Sequence, residues 1–330
     1  MQNIIGKYFI IEVTGSSHGK TVGGVIRNCP KGLEVSTDYI ASEVLRRKPK
    51  KYGTQRKEGD EVVFLSGISS GITTGDNIVF EIQNEDVKTS DYDSFHNLFR
   101  PSHADYVYYK KYGKDDLLLK DMASARMFLP VVVAGCFAKK ILEKHKITIE
   151  ADVTEVAGID YWNNQLEVKN LMNILAAKGD TAGGKIRCVI KGVWAGLGEP
   201  IFEKLSANLA KQIMNIPSCV GFSLGDVENR DRLLGSEDID EWNNNFTTKT
   251  NHAGGINAGI SNGNDIIFTS AFHAVHTLKQ PLTLISDKGE LVKQRVPGRH
   301  DICALFRTPV IVESVAAIVL VDYILMNKMK

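Results

Sequence analysis

The sequence predicts an α+β protein, and three observations carry that reading. Several short runs alternate apolar and polar residues with period two. Others carry apolar stripes at helical spacing. The two kinds of run are mixed without the strict strand-helix-strand order that winds a parallel sheet. The composition is that of an ordinary globular chain, 43% hydrophobic and 24% charged over 330 residues. That length would allow two domains at about 150 residues each. No Pro/Ser-rich linker, low-complexity tract or fixed-period repeat divides it, so residues 1–330 read as a single unit.

The elements follow in order. Tyr8 to Val13 is an apolar strand ending at a Gly-Ser-Ser-His-Gly turn. Ser36 is a candidate N-cap for a helix over Thr37 to Lys48, where Ile40, Ala41, Val44 and Leu45 form a stripe and Pro49 stops the helix. Strands are predicted at Glu61 to Leu65 and Asn77 to Ile82. Ser124 to Glu143 reads as a helix that Pro130 forces to start late or kink. Two more strands lie at Lys146 to Val153 and Lys185 to Lys191. In the second, Ile186, Cys188 and Ile190 face one way while Lys185, Arg187 and Lys191 face the other. A helix over Glu203 to Asn215 presents Leu205, Leu209 and Ile213. A strand over Asp265 to Phe272 and a helix over Pro309 to Met326, with Val312, Ala316, Val319 and Tyr323 on one face, complete the set.

Charge and cysteine usage narrow the function. Lys plus Arg number 40 against 39 Asp plus Glu, a net charge of +1, which argues against a protein that coats nucleic acid or an anionic membrane. Anion recognition must therefore be local. Cys29, Cys136, Cys188, Cys219 and Cys303 form no C-x-x-C pair, so neither a disulfide framework nor a zinc site is expected and a reducing cytoplasm is the default. The N-terminus shows no export pattern. The apolar stretches around Phe128 to Ala138 and Val315 to Val321 read as too short to span a membrane.

Five segments could carry chemistry. Gly15-Ser16-Ser17-His18-Gly19 sets a histidine at a glycine-flanked turn, where imidazole could exchange protons near neutral pH or merely satisfy backbone groups. Arg100-Pro101-Ser102-His103-Ala104-Asp105 repeats the theme with an arginine and a carboxylate nearby, and Gly298-Arg299-His300-Asp301 provides a third cluster. Between Arg46 and Lys57 stand Arg46, Arg47, Lys48, Lys50, Lys51, Arg56 and Lys57 with no acidic residue. That run suits a small phosphorylated or carboxylated ligand, or else is a solvated basic loop. Asn251 to Gly263 is dense in small residues, fit for close backbone approach to a cofactor or simply for tight turns. Neither a dinucleotide nor a P-loop fingerprint is present, and no spacing suggests a metal site.

Taken in order, these segments resemble the chorismate synthase family over essentially the whole chain. The matching motifs also include Thr54-Gln55-Arg56-Lys57-Glu58, Leu65-Ser66-Gly67, Thr73-Thr74-Gly75, Ser124-Ala125-Arg126 and Ala195-Gly196-Leu197-Gly198-Glu199-Pro200. The resemblance implies an α+β sandwich of antiparallel sheets flanked by helices, assembled as a homotetramer. It implies anti 1,4-elimination of phosphate from 5-enolpyruvylshikimate 3-phosphate to give chorismate, with reduced FMN required and no net redox change. A separate, NADP-linked flavin reductase would supply the reduced flavin. Carried over by motif, His18 would protonate the departing phosphate and His103 would set the protonation of the flavin. Asp301, assisted by Ser17, would help remove the substrate proton. Arg46, Arg47, Arg56, Arg100 and Arg126 would bind the substrate anions. Flavin contacts would fall at Ser124, Ser218, Ala258, His273, Ala274, Val275, His276, Thr277 and Arg299.

The chain departs from the family pattern at several positions. Ser16 replaces the glutamate usual before Ser-His-Gly, Leu118 to Met122 replaces an Arg-Gly-rich loop, Met127 replaces a glutamate, and His273 replaces a lysine. These changes keep open an alternative: a catalytically impaired paralogue acting as a flavin- or ligand-binding or assembly protein.

Overall fold

The computed structural model describes residues 3–48, 52–53, 58–85, 97–113, 123–225, 230–296 and 301–328. The first sheet is built from β1 (Ile4–Ile5), β2 (Ile10–Gly15), β3 (Thr21–Arg27), β4 (Val62–Ser66) and β7 (Ile78–Gln83) in the order β1-β2-β3-β7-β4. A small hairpin, β5 (Ile68–Ser69) with β6 (Ile72–Thr73), joins β4 to β7. All pairings are antiparallel, with Val22 opposite Ile82 and Ile26 opposite Ile78.

The second sheet runs β10-β9-β11-β15-β12, from β9 (Thr148–Val156), β10 (Ile159–Asp160), β11 (Gly184–Lys191), β12 (Cys219–Leu224) and β15 (Ile266–Phe272). It too is antiparallel throughout. In β11, Ile186, Cys188 and Ile190 are fully buried while Lys191 is exposed, the alternation expected from sequence. A short β13 (Ile256–Asn257) and β14 (Ile260–Ser261) pair as a hairpin. A three-stranded sheet joins β8 (Leu98–Phe99), β16 (Pro281–Ser286) and β17 (Leu291–Arg295).

The longer helices among the described residues are α1 (Thr37–Arg47), α2 (Asp105–Tyr112), α3 (Leu129–Glu143), α4 (Gln165–Lys178), α5 (Leu205–Met214) and α6 (Pro309–Lys328). Ser36 caps α1: its side chain accepts the Tyr39 N–H at 3.1 Å, satisfying one of the donors a helix start leaves open. Pro130 sits in the first turn of α3, where its missing N–H costs nothing. The helix therefore starts late, and Ser124 instead caps a 3-10 turn over Ala125–Phe128.

Helix α3 packs on β2 and β3, α6 packs on β9 and β11, and the two helices pack on each other. The layers are thus sheet, helix pair, sheet. This antiparallel α+β architecture is the expected class, with a more specific layer order: the two most apolar helices lie between the sheets. Gly135 permits their approach, because a Cβ there would stand 2.3 Å from the Ser314 Cβ. Helix α6 is long and apolar enough to cross a membrane by composition alone, against the sequence reading of Val315 to Val321 as too short. Its most apolar window is 78% buried within the protein, as expected of a core helix. All five cysteines are free thiols.

Candidate active site

The His18 turn follows β2 directly. Ser17 is fully buried, with its Oγ 3.0 Å from His18 Nδ1. Asn84, just past β7, holds the turn by donating from Nδ2 to the carbonyls of Ser16 (3.1 Å) and Gly19 (2.8 Å). The Asn84 Oδ1 in turn accepts from Arg126 Nε at 2.9 Å. Arg126 is 5% exposed and pairs with Asp60, while Gln83 offers it a backbone carbonyl. Arg47, at the end of α1, donates to the Ala125 carbonyl at 2.7 Å. Ser17, His18, Arg47, Ser124 and Arg126 therefore form one hydrogen-bonded group.

A second group surrounds His103. Arg100 forks onto Asp105, Nε to Oδ2 at 2.8 Å and Nη2 to Oδ1 at 2.9 Å. The Asp105 Oδ1 lies 2.8 Å from His103 Nδ1. Arg100 Nη2, which can only donate, stands 3.0 Å from the same Nδ1; we assign the Nδ1 proton to the shorter contact with the ionised Asp105, which leaves Nε2 for exchange. Burial pushes the Asp105 carboxyl up, but hydrogen bonds from Arg100 and His103 outweigh it and hold the acid well below the ordinary carboxylate range. A recess of about 370 Å³ opens beside His103, lined also by Tyr106 and Thr283.

The segment 273–277 joins this second group. His276 donates from Nδ1 to the Ser102 carbonyl at 2.9 Å, and the His273 N–H reaches the Ser218 carbonyl at 2.9 Å. The rings of His273 and His276 stack with centroids 4.0 Å apart and planes 7° off parallel. His273 donates its own Nδ1–H to the Ala274 carbonyl. Thr181 donates to the Val275 carbonyl, and the Ala182 N–H reaches the Ile302 carbonyl. The amides of Ile302 and Cys303 in turn donate to the Tyr52 carbonyl. Asp301 is thereby placed within this network, ion-paired with Arg307.

Two sequence expectations change here. Arg46 is engaged by acids of its own chain. Its guanidinium forks onto the buried Glu313, with Glu43 beside it, while 42% of the side chain stays exposed, because an acid-free run in sequence is not acid-free in space. Ala258 is not brought to either group. It lies at the exposed tip of the β13/β14 hairpin, where the neighbouring Gly259 carbonyl accepts the first N–H of α5. Arg56 and Arg299, with Lys50, Lys51, Lys57 and the Leu118 to Met122 segment, lie outside the described residues. Thr277 is half-buried within the 273–277 segment.

Ser102, Ser218 and Ala258 all adopt φ between 51° and 70°. Left-handed backbone at a non-glycine costs on the order of 1 kcal/mol and tends to collect where ligands bind. These three include two of the residues marked for the flavin and the neighbour of His103. The 273–277 segment also presents a flat aromatic stack whose Nδ1 atoms are both spoken for, leaving Nε2 on each ring. That flat face, with an acceptor Nε2 on each neutral ring, fits the ring system of a planar cofactor.

A family model for chorismate synthase matches residues 9–325. The chain belongs to the chorismate synthase family. A chorismate synthase of Christiangramia forsetii is 42% identical over 99% of this chain and 98% of its own length. One of Flavobacterium psychrophilum is 42% identical over the same shares, and one of Parabacteroides distasonis is 41% identical, again over 99% and 98%. A crystal structure of chorismate synthase superposes with a TM-score of 0.74 over 98% of this chain and 93% of that chain, at 23% identity, and shows the shared fold.

Sequence reasoning missed the residues that hold the chorismate synthase motifs together. Asn84 carries no signal beyond a polar side chain at a strand end, yet it joins the His18 turn to Arg126. Asp60 and Glu313 are single acids far from their arginines in sequence. Of the departures from the family pattern, Ser16 and Met127 are buried and His273 takes part in the imidazole stack.

Proposed function

We infer that the protein is a lyase that makes chorismate by anti 1,4-elimination of phosphate from 5-enolpyruvylshikimate 3-phosphate. The observation that carries this reading is the junction of the His18 turn, Arg126 and Arg47 through Asn84 and the Ser124–Arg126 turn, within a chain that matches the family from end to end. His18 stands at a turn held on both sides by Asn84, so its ring has a defined position from which to give a proton to the departing phosphate. Ser17 fixes that ring through Nδ1. Arg47 and Arg126 meet the negative charge that grows on the leaving oxygen as the C–O bond breaks. Arg126 keeps its guanidinium planar and anchored between Asp60 and Asn84, so little reorganisation is needed. Arg56 and Arg100 complete the anion-binding set, and Arg46 is committed to Glu313 and Glu43 instead.

Reduced FMN is the proposed cofactor; when bound, it lends electron density to the substrate and recovers it, leaving no net redox change. Ser124, Ser218, residues 273–277 and Arg299 would hold it. His103, oriented by Asp105, keeps Nε2 available to hold or move a proton at the flavin edge. Asp301, held by Arg307 and working with Ser17, assists loss of the substrate's C6 proton. A separate flavin reductase drawing on NADPH, a homotetrameric assembly, a cytoplasmic location and action of residues 1–330 as one unit belong to the same reading, as the family resemblance implies. No feature favours the paralogue without catalysis.

The test is an anaerobic assay with chemically reduced FMN and 5-enolpyruvylshikimate 3-phosphate, following chorismate by its ultraviolet absorbance. Turnover is expected. A folded protein that binds the substrate and forms no chorismate would overturn the assignment.

A further inference from the structure

Helix α1 ends on three consecutive cations that leave it in three directions. Arg46 points inward and forks onto Glu313 of α6, Nη1 to Oε2 and Nη2 to Oε1, both at 2.6 Å, and reaches Glu43 at 2.9 Å. Lys139 of α3 bridges Glu43 (2.5 Å) and Glu313 (2.6 Å). The Ala151 N–H of β9 donates to the same Glu313 at 3.2 Å. Arg47 turns the other way, to the Ala125 carbonyl. Lys48 donates from Nζ to the carbonyls of Glu58 (3.0 Å) and Gly59 (2.9 Å), immediately before the Asp60 that holds Arg126.

Glu313 is 3% exposed and Glu43 8% exposed, so two buried carboxylates are met by the largely buried Lys139 and by Arg46, which reaches in from the surface with 42% of its side chain exposed. Burial pushes the Glu313 carboxyl up, and hydrogen bonding to Arg46 with the charge of Lys139 outweighs it, so the group stays below its ordinary value. Such a cluster adds little net stability, because removing the two carboxylates and Lys139 from water offsets much of their attraction. What it does supply is a register. A slip of one residue would move a helical side chain by about 1.5 Å along the axis and about 100° around it, which would carry Arg46 and Glu43 away from Glu313 and Lys139.

We propose that the Glu313–Arg46–Glu43–Lys139 cluster is the positioning device of the substrate site, pinning the last turn of α1 so that Arg47 and Lys48 meet the Ser124–Arg126 turn and the Glu58–Gly59 segment in one register. The proposal rests on the reading of Arg47 as a substrate contact. Glu43, Lys139 and Glu313 are positioning residues that never touch substrate; they act through Arg47 and Lys48.

The experiment titrates 5-enolpyruvylshikimate 3-phosphate into the full chain by calorimetry, with oxidised FMN present so that no turnover occurs, and records the melting temperature of each variant. Arg47→Ala should raise Kd by about tenfold or more. Glu313→Gln should raise it about fivefold or more, and the double variant should be little weaker than Arg47→Ala alone, since both act through one contact. Glu43→Gln, which leaves the Arg46–Glu313 fork in place, should give a smaller loss in the same direction, and serves if Glu313→Gln does not fold. A Kd within twofold of the parent in a Glu313→Gln or Glu43→Gln variant whose melting point has fallen overturns the proposal and leaves a merely structural cluster. Losses that add in full in the double variant overturn it as well. If Arg47→Ala itself leaves Kd unchanged, the substrate reading of Arg47 fails first, a result that the Arg47 variant alone separates from the other two.

Discussion

At the residue scale the account turns on how each imidazole is held. Asp105 fixes the tautomer of His103, so Asp105→Asn would offer an amide that can present its N–H to Nδ1 and reverse the ring's donor and acceptor ends. We expect kcat to fall by about 100-fold in steady-state assays, in the range of a lost acid–base contribution, with KM changed far less. His18→Ala should lower kcat by about 100-fold or more while the circular dichroism spectrum stays that of the parent. The sign of the pH effect follows from the depressed Asp105 carboxyl. A group with a folded pKa below its ordinary 3.8 stabilises the protein above that value, and the contribution fades as pH falls from about 4 toward the folded pKa. Denaturation of the parent should therefore steepen below about pH 4, and Asp105→Asn should flatten that limb. The residue scale is also where sequence reading fell shortest. The histidine turns were visible as motifs, whereas the carboxylate that receives Arg46 stands 267 positions away, and nothing local announces it.

At the element scale, local rules explain most of what was read correctly. Ser36 starts α1 where the sequence placed it, because capping acts through the residue's own side chain. Period-two burial in β11 follows from a strand with one face against the core. The layer order was not legible, since a helix buried on all sides and a membrane span present the same apolar string, and only the packing partners of α6 separate them. Two variants probe this packing. Leu209→Ala, in the fully buried stripe of α5, should cost about 2–5 kcal/mol in urea denaturation and leave substrate KM unchanged. Gly135→Ala should cost about 1–3 kcal/mol or more, because its methyl must push α3 away from Ser314 of α6.

At the scale of the whole molecule, two antiparallel sheets enclose a helix pair, and the proposed active-site groups sit where chain segments leave that core: after β2 and β7, at the end of α1, before α3 and before α6. The near-neutral net charge conceals this arrangement, since two arginines of the site are matched by acids of the same chain, Arg100 by Asp105 and Arg126 by Asp60, and Arg46 beside the site by Glu313. The basic character of the site is therefore local and geometric. A homotetramer should appear in light scattering as four times the 36.4 kDa chain, and a monomeric mass at micromolar concentration would contradict that part of the reading. The central claim is the elimination itself. Its most direct measurement is the simultaneous release of phosphate and chorismate from 5-enolpyruvylshikimate 3-phosphate under anaerobic conditions with reduced FMN. The account predicts equal amounts of the two products, no consumption of reduced flavin beyond that first supplied, and loss of both products in His18→Ala; phosphate release without chorismate, or no release at all, would contradict it.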